Sequence, residues 1–190
     1  AVALAMSLGP PACASPSRPA AAVSPEGVEP VIVGRPDMRF DGGLRLAAIF
    51  PSIGRYALSG IQSANGARLA VEDVNRRGGV HGRRLKLLEY RTGSYFVDAR
   101  LAAELAAGEG GALAIVGSNS SSLSMPIAAV AEEQRIVQVS NISTAEDLTW
   151  DPQRGQERRH VFRVCGTDSV TGALLADFAA GALRAQRVAV

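Results

Sequence analysis

Short apolar runs recur along this sequence, and each is followed by a polar loop and an amphipathic stretch. Two such units follow one another between residues 112 and 149, in ALAIVGSNSSSLSMPIAAVAEEQRIVQVSNISTAEDLT. The first run, at residues 112–116, has no polar alternation, which is expected of a strand covered on both faces in a parallel sheet. The run at residues 136–139 repeats the plan. Each unit therefore predicts a buried strand that leads through a loop into a helix.

The two predicted loops are rich in hydroxyl groups. Residues 118–122 form the first loop, and Pro126 is expected in the first turn of the helix that follows. Residues 141–144 form the second loop, where Ser143 stands three residues before Glu146 in a capping-box pattern. Both loops are thus expected to lead directly into helices.

The rest of the chain continues the alternation of strands and helices. Between residues 61 and 74, apolar side chains recur at three- and four-residue spacing, which turns one face of a helix toward a sheet. The order predicts an α/β fold, a doubly wound parallel sheet with right-handed crossovers. Strands are predicted at residues 44–50, 85–90, 112–116, 136–139, 160–164 and 187–190, and helices at 60–76, 96–107, from 126 onward and at 169–183.

The hydroxyl-rich loops are the candidate binding site. The carboxyl ends of neighbouring parallel strands meet at one sheet edge, so both loops should present backbone N–H groups and hydroxyls to a common crevice. Such a crevice suits a small anionic group such as a carboxylate. The alternative is that Ser121, Ser122, Ser143 and Thr144 only cap helices, a common role of serine and threonine. The local pattern leaves both interpretations open.

The first 43 residues have a different character from the rest. Residues 1–22 are expected to be the remnant of an export signal, with Cys13 either inside a small-residue cleavage site or as a lipid-modified first residue. Residues 23–43 are punctuated by proline and glycine and are expected to form a flexible tether. No apolar run in the sequence approaches the ~20 residues of a membrane span.

Several classes of function find no support in the sequence. The net charge is only +2 and aromatic residues make up 5%, so no nucleic-acid surface is predicted. Two isolated cysteines, Cys13 and Cys165, and two distant histidines do not form a cluster of metal ligands, and neither a metal nor a cofactor is expected. The serines have no nearby base, and phosphate-loop, nucleophile-elbow and dinucleotide motifs are absent from the sequence, so no catalytic residue is assigned.

The predicted strand at residues 187–190 would be the last element, with nothing after it to complete a domain. The sequence is therefore expected to be the front part of a longer protein.

Residues 44–90 resemble the opening of the type I periplasmic solute-binding proteins of the branched-chain amino-acid receptor group. In that family a strand leads through a loop into a helix that ends Glu-x-x-Asn-x-x-Gly-Gly-x-x-Gly-Arg. The later segments IVGSNSSSLSMPIAAVAEEQRI, VSNISTAEDLT and FRVCGTDSVTG are similar in the same order, so the resemblance covers about residues 44–190. The matching residues are Gly54, Tyr56, Gly60, Gly66, Ala67, Ala70, Val71, Glu72, Asn75, Gly78, Gly79, Gly82 and Arg83.

The resemblance implies two α/β lobes that close over a ligand, with the first lobe at residues 44–164 and the start of an incomplete second lobe at residues 165–190. It implies an exported, monomeric receptor of an ABC transporter that passes an amino-acid-like ligand to a membrane permease. A ligand-sensing ectodomain coupled to a signalling protein is the alternative. An α/β enzyme is the least favoured class.

The resemblance also implies roles for individual residues. Ser121 matches the serine whose hydroxyl and neighbouring amides hold the ligand carboxylate. Ser143 and Thr144 match the pair that receives the carboxylate and amino groups. Ser59 stands where branched-chain receptors carry an aromatic wall, which implies a different apolar side of the pocket. The expected ligand contacts are Ser59, Ser121, Ser122, Ile142, Ser143 and Thr144.

Overall fold

The computed structural model describes the backbone of residues 32–34 and all of residues 42–188. The expected export signal at residues 1–22, with Cys13, lies outside this part of the chain. The elements in chain order are β1 (Ile32–Gly34), β2 (Leu44–Pro51), α1 (Ala57–Arg76), β3 (Leu85–Thr92), α2 (Phe96–Ala107), β4 (Ala114–Gly117), α3 (Ser121–Gln134), β5 (Val137–Ser140), a 3-10 helix (Glu146–Leu148), β6 (Trp150–Asp151), β7 (Gln156–Glu157), β8 (Val161–Arg163), α4 (Asp168–Asp177) and a π-helical turn (Phe178–Ala182).

The main sheet has six strands in the order β1-β3-β2-β4-β5-β8. Five of them run parallel, and β1 pairs antiparallel with β3 at one edge. The predicted α/β fold is confirmed. The expectation of a tether without packed elements at residues 23–43 is wrong at β1, a three-residue edge strand that is stabilised by the backbone of β3 and has no periodicity of its own.

The strand order changes direction at β2. From β2 the chain passes through α1 to β3 on one side, then through α2 to β4 on the other side. The loops that leave β2 and β4 therefore diverge at the carboxyl edge of the sheet. In open α/β sheets a ligand usually binds in the crevice at such a switch point.

One face of the sheet is covered by α2 and α3. Ile49, Leu88 and Ile115 from the strands and Ile127 from α3 are buried there, with exposed fractions of 0%. The buried positions of α2 are mostly alanines, which allow this helix to pack close to the sheet. We refer to this side as the closed face.

The other face is covered only by α1 among the described helices that pack on the sheet, and we refer to it as the open face. Of the 20 residues of α1, only Gly60 is buried. Between α1 and the strands lies an apolar cleft of about 230 Å³, lined by Val71 and Val74 of the helix and by Leu46 and Val116 of the sheet. The predicted apolar stripe of α1 does face the sheet, but it leaves much of this face uncovered.

The start of α3 differs from the prediction. The helix begins at Ser121, so Pro126 lies inside it and not in its first turn. The reason is that Ser120 has an extended backbone and its carbonyl accepts hydrogen bonds from Leu123 N (3.1 Å) and Ser124 N (2.8 Å). The serines predicted as loop residues therefore form the first turn of the helix.

The predicted capping box at Ser143 and Glu146 is also wrong. The 3-10 helix starts after Ala145 with no side-chain cap, and the Ser143 hydroxyl is buried elsewhere. At the end of the chain, residues 187 and 188 are not in a strand, and residues 189 and 190 lie outside the described part. No helix within residues 42–188 has the length and hydrophobicity needed to cross a bilayer.

Candidate functional site

The loop between β4 and α3 is folded back on itself by one buried side chain, Ser124. Its hydroxyl accepts a hydrogen bond from Ser118 N at 2.9 Å and donates to Ser118 O at 3.0 Å. Ser118 and Ser124 are 1% and 0% exposed. The loop is therefore held in one conformation by contacts from within the lobe.

The same hydroxyl joins this loop to the one after β5. Ser124 Oγ lies 2.8 Å from Ser143 Oγ. Ser140 Oγ donates to Ser118 O at 3.2 Å and accepts from Ser143 N at 3.2 Å. The loops after β4 and β5 thus meet at one edge of the sheet, as the sequence predicts.

Three of the four hydroxyls expected at this edge differ in their environments. The Ser143 hydroxyl is buried and bonded to Ser124 and Ser118, so it holds the loops together. The Ser121 hydroxyl accepts a hydrogen bond from Ala145 N at 3.3 Å. The half-buried Thr144 has no side-chain hydrogen bond to any other described residue. Thr144 is therefore the best placed of these hydroxyls to bond a ligand.

Ser59 lies across the switch point from these loops. Its exposed hydroxyl accepts a hydrogen bond from Asn119 Nδ2 at 2.6 Å and donates to Tyr56 O at 3.2 Å. Asn119 Nδ2 also lies 3.3 Å from Tyr56 O. The side chain of Asn119 therefore bridges the loops after β2 and β4. Ile142, in the loop after β5, is 54% exposed.

The position of Ser59 depends on Gly60. A Cβ atom on Gly60 would collide with the carbonyl oxygen and the ring of Pro51, the last residue of β2. Glycine therefore allows α1 to start directly beside the end of its strand. This close approach brings the first turn of α1 to the same edge as the loops after β4 and β5.

Tyr56 and Arg55 were not predicted as site residues, although Tyr56 is one of the matched family positions. The Tyr56 phenol is hydrogen-bonded to the hydroxyls of Ser120 and Ser122, which lie 2.9 Å apart, and these bonds lower the pKa of the phenol. The positive charge of Arg55 lowers this pKa further. The Arg55 guanidinium carbon lies 4.5 Å from the centroid of the Tyr56 ring.

Among the described residues, no three or more His, Cys, Asp or Glu side chains form a group that could hold a metal ion. A cavity of about 540 Å³ lies far from the polar loops, at the start of β2 and β3, and is lined by Arg83, Arg84 and Lys86 among others. The site is thus a polar edge with hydroxyl, amide and guanidinium groups. Its chemistry suits recognition of a small polar or anionic molecule.

A parallel sheet with polar loops at its switch point is typical of ligand-binding α/β lobes. The family model for periplasmic binding proteins matches residues 43–190, and the chain belongs to this family. The resemblance inferred from the sequence is therefore confirmed.

Curated relatives include an amino acid binding protein from Pseudomonas aeruginosa, 32% identical over 140 residues that make up 74% of this chain and 36% of that protein. A Leu/Ile/Val-binding protein homolog from Brucella melitensis is 30% identical over 147 residues, which are 77% of this chain and 38% of that protein. The chain thus spans less than two-fifths of the length of these relatives.

Solved structures show the same fold. A leucine binding protein from Thermotoga maritima has a TM-score of 0.64 and 30% identity, covering 74% of this chain and 38% of that one. A branched-chain amino acid transporter substrate binding protein from Streptococcus pneumoniae, in complex with isoleucine, has a TM-score of 0.67 over 75% of this chain and 39% of that one. At 22% identity, the second comparison concerns the fold alone.

Proposed function

We propose that the full-length protein is an extracytoplasmic solute-binding receptor of an ABC transporter. It binds a small amino acid, or a related amide or carboxylate, between two lobes and delivers it to a membrane permease. Family membership supports this proposal, as do relatives that carry the names of amino acid binding proteins. Binding alone is the activity, and no bond of the ligand is broken.

The observation that carries the proposal is the meeting of the polar loops after β4 and β5 beside the switch point, with the Thr144 hydroxyl unbonded within the described lobe. The first turn of α3 adds backbone N–H groups and a positive helix end beside it. A carboxylate placed between Ser121 and Thr144 would accept hydrogen bonds from both loops. Ser122 and Ile142 flank this position, and the buried Ser143 hydroxyl holds the two loops together beside it.

Hinge closure is supported by the way the chain leaves the lobe. Arg163 is the last residue of β8, and its guanidinium donates to Ala145 O at 2.8 Å and to Ser143 O at 3.3 Å. The following helix α4 has no buried residue. The exit strand is thus bonded to the ligand loop, so a rotation after β8 would bring a second lobe over the site.

We also propose that the receptor is extracytoplasmic and monomeric. Lipid attachment at Cys13 stays a prediction. Labelling the expressed protein with a radioactive fatty acid, with Cys13→Ser as the control, measures it directly.

The binding site is tested by thermal shift of the full-length protein with a panel of amino acids and amides. A ligand that binds only the folded state raises its melting temperature. We expect Thr144→Val, which keeps the shape of the side chain, to abolish the shift at a concentration that saturates the wild type, and Ser121→Ala to reduce it. The unliganded melting temperature of Thr144→Val should stay within about 2 °C of the wild type, because the change breaks no side-chain hydrogen bond of the described lobe.

The matched control is Thr171→Val on α4, where the hydroxyl only donates to Thr167 O. This variant should keep the full ligand shift. A full shift in Thr144→Val would place the ligand elsewhere, and a wild type that responds to no amino acid, amide or carboxylate would refute the proposed function.

A further inference from the structure

Arg55 is an oriented cation at the mouth of the candidate site. It is exposed, and no carboxylate of the described residues forms an ion pair with it. Its guanidinium stacks on the ring of Tyr56 at 4.5 Å from the centroid. The Tyr56 phenol is in turn bonded to Ser120 and Ser122 at the start of α3. The cation is therefore fixed relative to the loop that is proposed to hold the ligand carboxylate.

Two polar side chains lie beside the loop after β2, which also carries the exposed side chain of Ile53. The Ser59 hydroxyl and the Asn119 amide lie beside the Arg55–Tyr56 pair, and all of them stand between β2 and β4. The exposed apolar side chain of Ile142 belongs to the loop after β5, where the neighbouring Asn141 donates to Ser63 Oγ of α1 at 2.9 Å. An aliphatic ligand tail packed against the Arg55 guanidinium would remove water from this charge without giving it a partner, which is costly.

We propose that the ligand carries a second anionic group, and that Arg55, stacked on Tyr56, pairs with this group. This inference rests on the proposed function, because it assumes that a first carboxylate is held between Ser121 and Thr144. It assigns the ligand to the acidic amino acids or short dicarboxylates, and not to the branched-chain amino acids. Arg55 is then the residue that determines specificity, since a guanidinium and a carboxylate form a charge-assisted pair of matched geometry.

The test is isothermal titration of the full-length protein with glutamate, its neutral analogue glutamine, leucine and succinate. We expect at least one of the two dianionic ligands to bind about tenfold or more tightly than glutamine and leucine, as is typical of one added charge-assisted contact. Arg55→Gln removes the charge and keeps hydrogen-bonding capacity. It should bring the affinity for the dianionic ligand down to that of glutamine and leave the affinity for glutamine within about twofold.

The matched control is Arg159→Gln, another exposed arginine, which should preserve the preference. Equal or tighter binding of leucine or glutamine by the wild type would overturn the inference and leave the proposed receptor function intact. A dianionic preference that survives in Arg55→Gln would overturn the role of Arg55. Absence of binding by all four ligands and by the wider amino acid and amide panel would refute both proposals together.

Discussion

The closed and open faces of the sheet are covered to different extents, although both are built from the same strands. On the closed face α2 and α3 together bury 11 residues, while α1 on the open face buries only Gly60. Neighbouring residues of one strand show the same contrast. Ile115 is fully buried on the closed face, whereas Val116 lines the cleft under α1.

The difference in burial means that the closed face supplies most of the stability, whereas the candidate site lies at the edge of the sheet. Burial of apolar area is the main favourable term in folding, so the closed face supplies most of it. The polar loops are anchored to that face, because Ser124 lies on the buried side of α3 and Gln138 next to it is 0% exposed. The open face contributes the first turn of α1, with Ser59, to the site.

The largest expected effect is a difference in the free energy of unfolding between two isoleucine-to-alanine variants, one in a helix on each face. Ile127→Ala in α3 removes a fully buried side chain and should lower the free energy of unfolding by about 2–5 kcal/mol. Ile61→Ala in α1, where the side chain is 46% exposed, should lower it by less than about 1 kcal/mol. Urea denaturation of both variants measures this. Equal losses would mean that the two faces contribute equally.

An intermediate effect is expected when a buried polar side chain that bonds the backbone is removed. Gln138 Nε2 donates to Gly117 O at 2.9 Å and to Ser124 O at 3.1 Å on the closed face. Gln138→Leu leaves both carbonyl oxygens without this donor and should lower the free energy of unfolding by about 1–3 kcal/mol.

The comparison for that variant is Asn75→Leu at the end of α1. Asn75 exchanges two hydrogen bonds with the backbone of Leu85, at 2.8 and 2.7 Å, but the site is only half-buried. Water can replace the lost bonds, so a loss of about 1 kcal/mol is expected. Urea denaturation measures both variants. A larger loss of unfolding free energy for Asn75→Leu than for Gln138→Leu would mean that the open face contributes more to stability than the closed face.

The smallest effect is expected for an ion pair beside α1. Arg68 and Glu89 lie 2.7 Å apart, with side chains 46% and 29% exposed. Exposed ion pairs contribute little, so Arg68→Met should change the free energy of unfolding by less than about 1 kcal/mol. The change should shrink further in ~1 M NaCl, where charges are screened. A loss that persists in high salt would show that packing of the Arg68 side chain matters more than its charge.

Much of the fold could be predicted from the sequence because apolar periodicity and glycine positions are local signals. The bounds of α2 are those predicted, and the adjacent position of the two polar loops follows from the order of the parallel strands. The start of α3 could not be predicted in this way. Its first turn depends on the extended backbone of Ser120, while proline suggested a later start.

The partners of the site residues could not be predicted either, because they lie far apart along the chain. Ser143 matched a capping pattern, yet its hydroxyl is bonded to Ser124, 19 residues earlier. Tyr56 reaches the hydroxyls of Ser120 and Ser122 across the switch point. Such contacts depend on which strands are neighbours and on which way each side chain points, and one sequence without that information cannot supply them.

The position of the Ser124 hydroxyl has a consequence for the thermodynamics of recognition. Because it already connects the two loops through Ser118 and Ser143, the donors at the sheet edge are arranged before any ligand arrives. Capture of a ligand would then cost little conformational entropy in this lobe. With the proposed closure of two lobes, the heat-capacity change measured on binding would accordingly reflect the apolar area buried by that closure, and not the ordering of these loops.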